Sequence, residues 1–381
     1  MGVLSGLRII ELAGIGPAPF ASMMLADHGA EVVCVERPLG NALKASDARH
    51  ADVLSRSRRS IALDLKAEGS ADVVKAIVRD ADGLIEGFRP GVMERLGLGP
   101  EQLLQINPRL VYGRMTGWGQ TGPLAARAGH DINYIAISGV LHAIGTPGGK
   151  PVVPLNLVGD FGAGGLLLAF GMLAAILSAR TTGKGQVVDC AMTDGSALLM
   201  TMMWGLRGQG IWQDERGCNM LDGAAHFYDT YETLDGKAMA VGAIEPAFQS
   251  EFMRQMGLEP AADFAHQMDP TSWQVSKAEV AAAFRTRTRQ EWVAHFEASD
   301  CCVTPVLSME EALRHPHNQA RAIFIDVAGI DQPAPAPRFS AQPAGHPVEP
   351  GPIGADTDAV LMAAGYDVQG IQALRSAGVV Y

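Results

Sequence analysis

The sequence predicts an α/β protein, a parallel-sheet domain followed by a smaller α+β domain. Three observations carry this reading. The chain opens strand, helix, strand, and strands joined through a helix pair in parallel. Further apolar strands alternate with amphipathic helices as far as Cys190. Beyond Gly223 the pattern changes to two alternating runs around Asp235-Gly236, a strong hairpin signal.

Leu7–Leu12 is the first expected strand. Ala13-Gly14-Ile15-Gly16-Pro17 is a turn, with Pro17 suited to a first helical position. The helix runs to His28-Gly29, and the valine-rich Glu31–Arg37 is the second strand. Gly14-x-Gly16 with Glu36 further on imitates a dinucleotide fingerprint, but the third glycine is replaced by Pro19. The glycines are read as turn formers only. Strands follow at Ser60–Leu65, Gly83–Phe88, Leu110–Met115 and Gln186–Cys190, and helices at Gly69–Asp80, Arg89–Leu96 and Thr193–Leu206. Gly208–Gly223 loses all periodicity and reads as a linker.

The hairpin pairs His226–Thr233 with Ala238–Ala243. Helices are expected at Ala247–Met256, Lys277–Arg285 and Gln290–Ala298, then a strand at Cys302–Leu307. Ser308-Met309-Glu310-Glu311 has the spacing of a capping box. Residues 332–353 hold seven prolines, so this stretch is extended and crosses a surface, of the first domain or of a partner chain. Two short helices, Thr357–Ala364 and Val368–Ser376, close the chain. The expected division is 1–207 for the first part of the large domain, 208–225 for a linker and 226–325 for the small domain. Residues 326–381 form a return linker and the rest of the large domain.

The 381 residues carry a formal charge of −11, which argues against a sequence-independent nucleic-acid binder. The five cysteines form no metal or redox spacing, as in a reduced, cytoplasmic protein, and Cys301-Cys302 reads as part of a strand. The apolar run Phe161–Ala179 approaches membrane-span length, but four glycines interrupt it and Asp160 precedes it, so a buried core helix is expected. The start of the chain lacks a basic segment, so no signal peptide is expected, and Gly6 breaks a myristoylation pattern.

Two helix mouths stand out. Gly129-His130-Asp131-Ile132-Asn133-Tyr134 places His130 at the start of one, and Leu155–Gly162 places Asp160 at the start of another. Helix N-termini offer unpaired N–H groups and a positive dipole end. A histidine there is ordinarily a cap, and an aspartate there is ordinarily favoured by the dipole. Facing each other, the pair has the chemistry to move a proton on and off one carbon. Arg37, Lys66, Arg89 and Arg95 fall at strand ends and helix starts of the first domain, where the ligand crevice of a parallel sheet lies. Arginine there suits phosphate. His315-Pro316-His317 is too tight and isolated for a metal, and no metal site is expected.

The segments Leu7–Gly14, Glu36-Arg37-Pro38, Glu86–Gly91, Met115–Pro123, Gly129–Tyr134, Leu155–Phe161, Val241–Pro246 and His315–Arg321 together resemble the family III coenzyme A transferases of the CaiB/BaiF type. Within that family they are most similar to the branch that racemises 2-methylacyl-CoA thioesters. The resemblance implies a Rossmann-like large domain, a small domain, two long linkers and an interlocked homodimer. Each active site would draw on the large domain of one chain and the small domain of the other. It also implies catalytic roles for His130, Asp160 and Glu245, with Glu245 paired to the His130 imidazole. Asp160 would be the second acid/base of a racemase or the nucleophile of a transferase. Coenzyme A contacts are implied for Ile15, Arg37, Leu63 and Lys66, for Glu86, Gly87, Phe88, Arg89 and Arg95, and for Asp131, Tyr134 and Asn156. No cofactor is implied, because coenzyme A is part of the substrate.

Overall fold

The computed structural model describes residues 2–38, 49 and 51–381. By its internal contacts the chain divides into two compact units. The first comprises Met1–Ser138, Leu155–Leu199 and Arg321–Tyr381, and the second Gly139–Pro154 and Met200–Ala320. The second unit therefore also takes Gly139–Pro154 and begins again at Met200, where the sequence reading had placed both stretches in the large domain.

The first unit is built on six strands: β1 (Arg8–Leu12), β2 (Glu31–Glu36), β3 (Arg59–Ala62), β4 (Gly83–Glu86), β5 (Val111–Thr116) and β6 (Gln186–Ala191). Their order is β3-β2-β1-β4-β5-β6, all parallel, as in dinucleotide-binding Rossmann sheets. Neighbours on a strand point to opposite faces. Ile10, Val33 and Leu84 pack on one face with the Ser70–Val78 helix, while Ile9, Val32 and Ile85 pack on the other with the Pro17–Asp27 helix. Burial on both faces explains why these strands read as nearly unbroken apolar runs. Glu36 gives its carboxylate to Arg49, at 2.8 and 2.7 Å, and to Ser60, so it does not serve as a ribose ligand.

The long apolar segment becomes a π-helical stretch, Leu157–Leu166, continued by an α-helix, Leu167–Thr182. By length and composition alone this helix suffices to cross a membrane. One side of it, including Leu168, Met172, Ile176 and Ala179, enters the core. The other side leaves Leu166, Phe170 and Leu177 exposed, so the segment is only half a core helix. Glycines bring it close to its neighbours. A Cβ at Gly165 would fall 2.6 Å from Phe20, and one at Gly195 would fall 2.2 Å from the Ala163 carbonyl oxygen.

The proline-rich return segment lies along the first unit. Ala336 O contacts His28 Nε2 at 3.0 Å, Val348 N donates to Ser57 Oγ at 3.1 Å, and Gly354 N donates to Ser60 Oγ at 2.9 Å. The tail then fills the core with Val360, Leu361, Ile371, Val379 and Val380.

The second unit holds an antiparallel sheet of β7 (Tyr228–Glu232), β8 (Ala238–Gly242) and β9 (Val303–Pro305). Gly236, with φ 70°, makes the tight turn between β7 and β8. Helices Pro246–Gln255, Pro270–Phe284 and Arg289–Phe296 pack on this sheet through Phe252, Trp273, Phe284 and Trp292. The middle helix starts well before the expected Lys277, because Asp269 caps it by accepting from Thr271 N at 3.0 Å.

Other expectations are corrected in detail. Thr193–Leu206 is two helices, Met192–Leu199 and Thr201–Gly208, broken at Met200. Cys301-Cys302 precedes its strand, with Cys302 in a left-handed conformation at φ 55°. Gly208–Gly223 is a compact loop around buried Asn219, whose Nδ2 donates to the carbonyls of Gln213 and Glu215. A helix at Pro100–Ile106 and a hairpin of Phe324–Val327 with Ile330–Pro333 lacked any sequence signal strong enough to read.

Candidate active site

A cavity of about 480 Å³ opens at the carboxyl ends of β1, β4 and β5. Connections leave β1 and β4 in opposite directions along the sheet, and such a switch point leaves a crevice for a ligand. Ile15, Gly16 and Pro17 follow β1, Gly87–Pro90 follow β4, and Met115 and Thr116 end β5. His130, Tyr134, Asn156 and Asp160 complete the wall.

The loop after β5 delivers His130. Glycine is required at 117 and 129, since a Cβ would fall 2.1 and 2.7 Å from the Tyr134 ring. That ring lies edge-on to Trp118, with centroids 4.7 Å apart, and its hydroxyl donates to Gly129 O. Burial pushes the Tyr134 hydroxyl pKa up, and the Asp160 charge adds to this. His130 then caps the Asp131–Ile137 helix, its backbone N donating to Asn133 Oδ1 at 3.0 Å. His130 is exposed and lines the cavity.

Asp131 links this helix to the next. Its buried carboxylate accepts from the backbone N–H of Asp160 at 2.7 Å, reaching from one helix mouth into the other. A Cβ at Gly159 would lie 2.4 Å from Asp131 Oδ1, so only glycine leaves room for this bond. Burial raises the Asp131 pKa, and its bond to the Asp160 N–H opposes that rise. The Asp160 carboxylate accepts from Asn156 Nδ2 at 3.1 Å, and the Gly16 turn passes close beside it. The cavity therefore brings His130 and Asp160 together, with Asp131 and Asn156 fixing the second.

The remaining expected residues divide by location. Ile15, Gly87, Phe88 and Arg89 line the cavity with Tyr134. Arg37, Lys66 and Arg95 are exposed and outside its wall. The Leu63 side chain is 1% exposed and belongs to the core beside Val380, because the tail covers that strand end. Glu86 is fully buried, accepting from Phe88 N at 2.7 Å and Arg114 Nε at 3.0 Å. Burial pushes its carboxyl up to about 7, against the lowering pull of those bonds. Glu245 lies in the second unit, exposed at the start of the Pro246–Gln255 helix. Trp118, Arg127 and Met192 also line the cavity and were missed. Only their proximity to Gly117, His130 and the β6 end could have marked them. Among the described residues no cluster of ligands could hold a metal ion.

The second unit has its own cavity, of about 700 Å³, lined by Met200, Met203, Trp212, Leu221, Tyr228 and Cys302 among others. Burial raises the Cys302 pKa, and the charges of Asp300 and Glu245 add to this.

A sheet of this order, with paired acid/base groups at its switch point, defines a Rossmann-like enzyme. Over residues 4–357 the chain matches the family described as CoA-transferase family III, and it belongs to that family. The alpha-methylacyl-CoA racemase of Mus musculus is 46% identical over 376 residues, covering 98% of this chain and 96% of that protein. The alpha-methylacyl-CoA racemase of Homo sapiens is 44% identical over 375 residues, with the same coverage, 98% and 96%. The crystal structure of a CaiB/BaiF family protein from Brucella suis superposes with a TM-score of 0.80 at 25% identity, covering 95% of this chain and 99% of that one.

Proposed function

We propose that this chain is a racemase of 2-methylacyl-CoA thioesters, interconverting the R and S configurations at the carbon beside the thioester carbonyl. The observation that carries the reading is the pairing of His130 and Asp160 on one cavity, joined through Asp131. A thioester α-proton is weakly acidic. Removing it takes a base on one face and donors for the developing enolate oxygen. First-turn N–H groups of a helix such as Asp131–Ile137, which lack intrahelical partners, are the kind of donor this calls for. His130 serves one face and Asp160 the other, and reprotonation from the opposite face inverts the centre. The thioester itself acidifies the carbon, so the reaction uses neither metal nor redox cofactor.

Arg89 holds an anionic part of the coenzyme A handle, resting on its place in the cavity wall. Arg89→Ala should therefore raise KM more than it lowers kcat, since such a contact is equal in ground and transition states. Arg95→Ala, outside that wall, should have the smaller effect. Steady-state kinetics on both variants check this, and an unchanged KM in Arg89→Ala would remove Arg89 from the handle.

The active form is a homodimer whose sites combine the first unit of one chain with the second unit of its partner. Two features support it. Leu166, Phe170 and Leu177 form an uncovered apolar stripe in the first unit, and Met202 and Trp204 are exposed in the second. Glu245 would then meet the partner's His130 and balance its charge, and the Met200–Trp212 cavity would take the apolar acyl tail. Co-expressing His130→Ala and Glu245→Ala chains should restore activity in the heterodimer, where one site regains both groups. Activity no higher than either mutant homodimer would refute shared sites. The five unpaired cysteines support a cytoplasmic setting as part of the same proposal.

A second reading is a coenzyme A transferase using Asp160 as nucleophile, favoured by that half-buried carboxylate in the cavity. It leaves His130 without a task. Supplying an acyl-CoA with an excess of a free carboxylic acid separates the readings. The racemase inverts the substrate and leaves coenzyme A on its original acyl group. Transfer to the free acid would favour the second reading.

A further inference from the structure

Arg114 of β5 does not line the cavity, yet its side chain bonds residues on either side of the segment that does. It is 6% exposed. Its Nε donates to Glu86 Oε1 at 3.0 Å, and its two terminal nitrogens donate to Glu94 at 2.7 and 3.3 Å. Glu86 ends β4, and its other oxygen accepts from Phe88 N at 2.7 Å. Glu94 lies in the short Val92–Arg95 helix. Between those two carboxylates run Gly87, Phe88, Arg89 and Pro90, all on the cavity wall. One guanidinium thus grips the segment from both ends.

Stability alone does not call for such a network. Burying charges costs desolvation, and packed apolar side chains of similar volume often serve as well or better. What the network adds is a fixed position for the backbone of Phe88 and hence for the Arg89 side chain that follows it. The charge of Arg89 is felt at the Tyr134 hydroxyl, so its placement matters inside the cavity. Lysine at 114 could not span both carboxylates, because only the planar fork of arginine offers donors in both directions.

The geometry points to Arg114, acting with Glu86 and Glu94, as the positioning residue that holds the Gly87–Pro90 segment where Arg89 meets an anionic group of coenzyme A. This rests on the coenzyme A thioester reading above. The assignment predicts a defect in binding rather than in proton transfer.

The test is titration calorimetry with coenzyme A alone on the 381-residue chain, its Arg89→Ala, Arg114→Lys and Glu94→Gln variants, and the Arg89→Ala/Arg114→Lys double variant. Arg114→Lys should weaken binding roughly tenfold, in line with loss of a charged hydrogen bond, while kcat at saturating substrate changes by less than about twofold. Glu94→Gln should shift affinity the same way by a few-fold. The double variant should bind no more weakly than its worse parent, because both changes act through one contact. Should Arg114→Lys fail to fold, Glu94→Gln decides, since its side chain is 43% exposed. Weakened binding in Arg89→Ala with unchanged affinity in Glu94→Gln and in Arg114→Lys would overturn the role of Arg114. Additive losses in the double variant would do the same. Absence of coenzyme A binding by the unaltered protein would instead bring down the thioester reading itself.

Discussion

Asp160→Ala and His130→Ala should each lower racemisation by roughly 10²–10⁴-fold, the usual span for a positioned acid or base. Inversion needs a group on each face of the enolate, so both variants lose it. Their losses in α-hydrogen exchange should differ in direction. With one base per face, each enantiomer gives up its proton to a different residue. His130→Ala should therefore spare exchange from one enantiomer, and Asp160→Ala should spare it from the other. Glu245→Gln should give a partial copy of the His130 defect if the carboxylate balances the imidazolium. Exchange rates on separate R and S substrates read this directly. Equal damage to both enantiomers in every variant would mean that a single group serves both faces.

The second large effect is on stability. Gly195→Ala should cost about 3 kcal/mol, at the upper end for overpacking. Its Cβ would fall 2.2 Å from Ala163 O and 3.0 Å from Ala163 Cα, and backbone atoms cannot swing away as a side-chain tip can. Ala163 lies in the π-helical stretch that carries Asp160, so the strain is delivered to the site. The Tm should fall by roughly 4–6 °C. Gly208→Ala, where a Cβ meets nothing within 4 Å, is the matched control and should leave Tm within about a degree. A Tm for Gly195→Ala equal to the control would show that the two helices are not packed this closely.

Much of this was legible in the sequence. The four inner strands of the sheet declare themselves because burial on both faces demands continuous apolar runs such as Val32–Val35. The hairpin at Asp235-Gly236 declares itself through turn chemistry. Pro100–Ile106 stayed hidden because only Leu103 of that helix is buried, too little for a periodic signal. The motifs that located His130 and Asp160 are local, and both residues reach the cavity. Contacts between distant segments were beyond such reading. The bond from Asp131 to the Asp160 N–H spans two helices, and the bonds from Arg114 to Glu86 and Glu94 span neighbouring segments of the sheet. The burial of the Leu63 side chain was hidden for the same reason, since the tail that buries it lies at the far end of the chain.

The central claim is that the chain moves a proton, not coenzyme A. The most direct measurement incubates the protein with one enantiomer of a 2-methylacyl-CoA in deuterated water, with no free carboxylic acid present. Mass and chirality of the recovered thioester are then followed together. The account predicts one deuterium at the α-carbon, appearing in step with the opposite enantiomer, and loss of inversion in Asp160→Ala. A thioester recovered unlabelled and uninverted from the unaltered protein would contradict it.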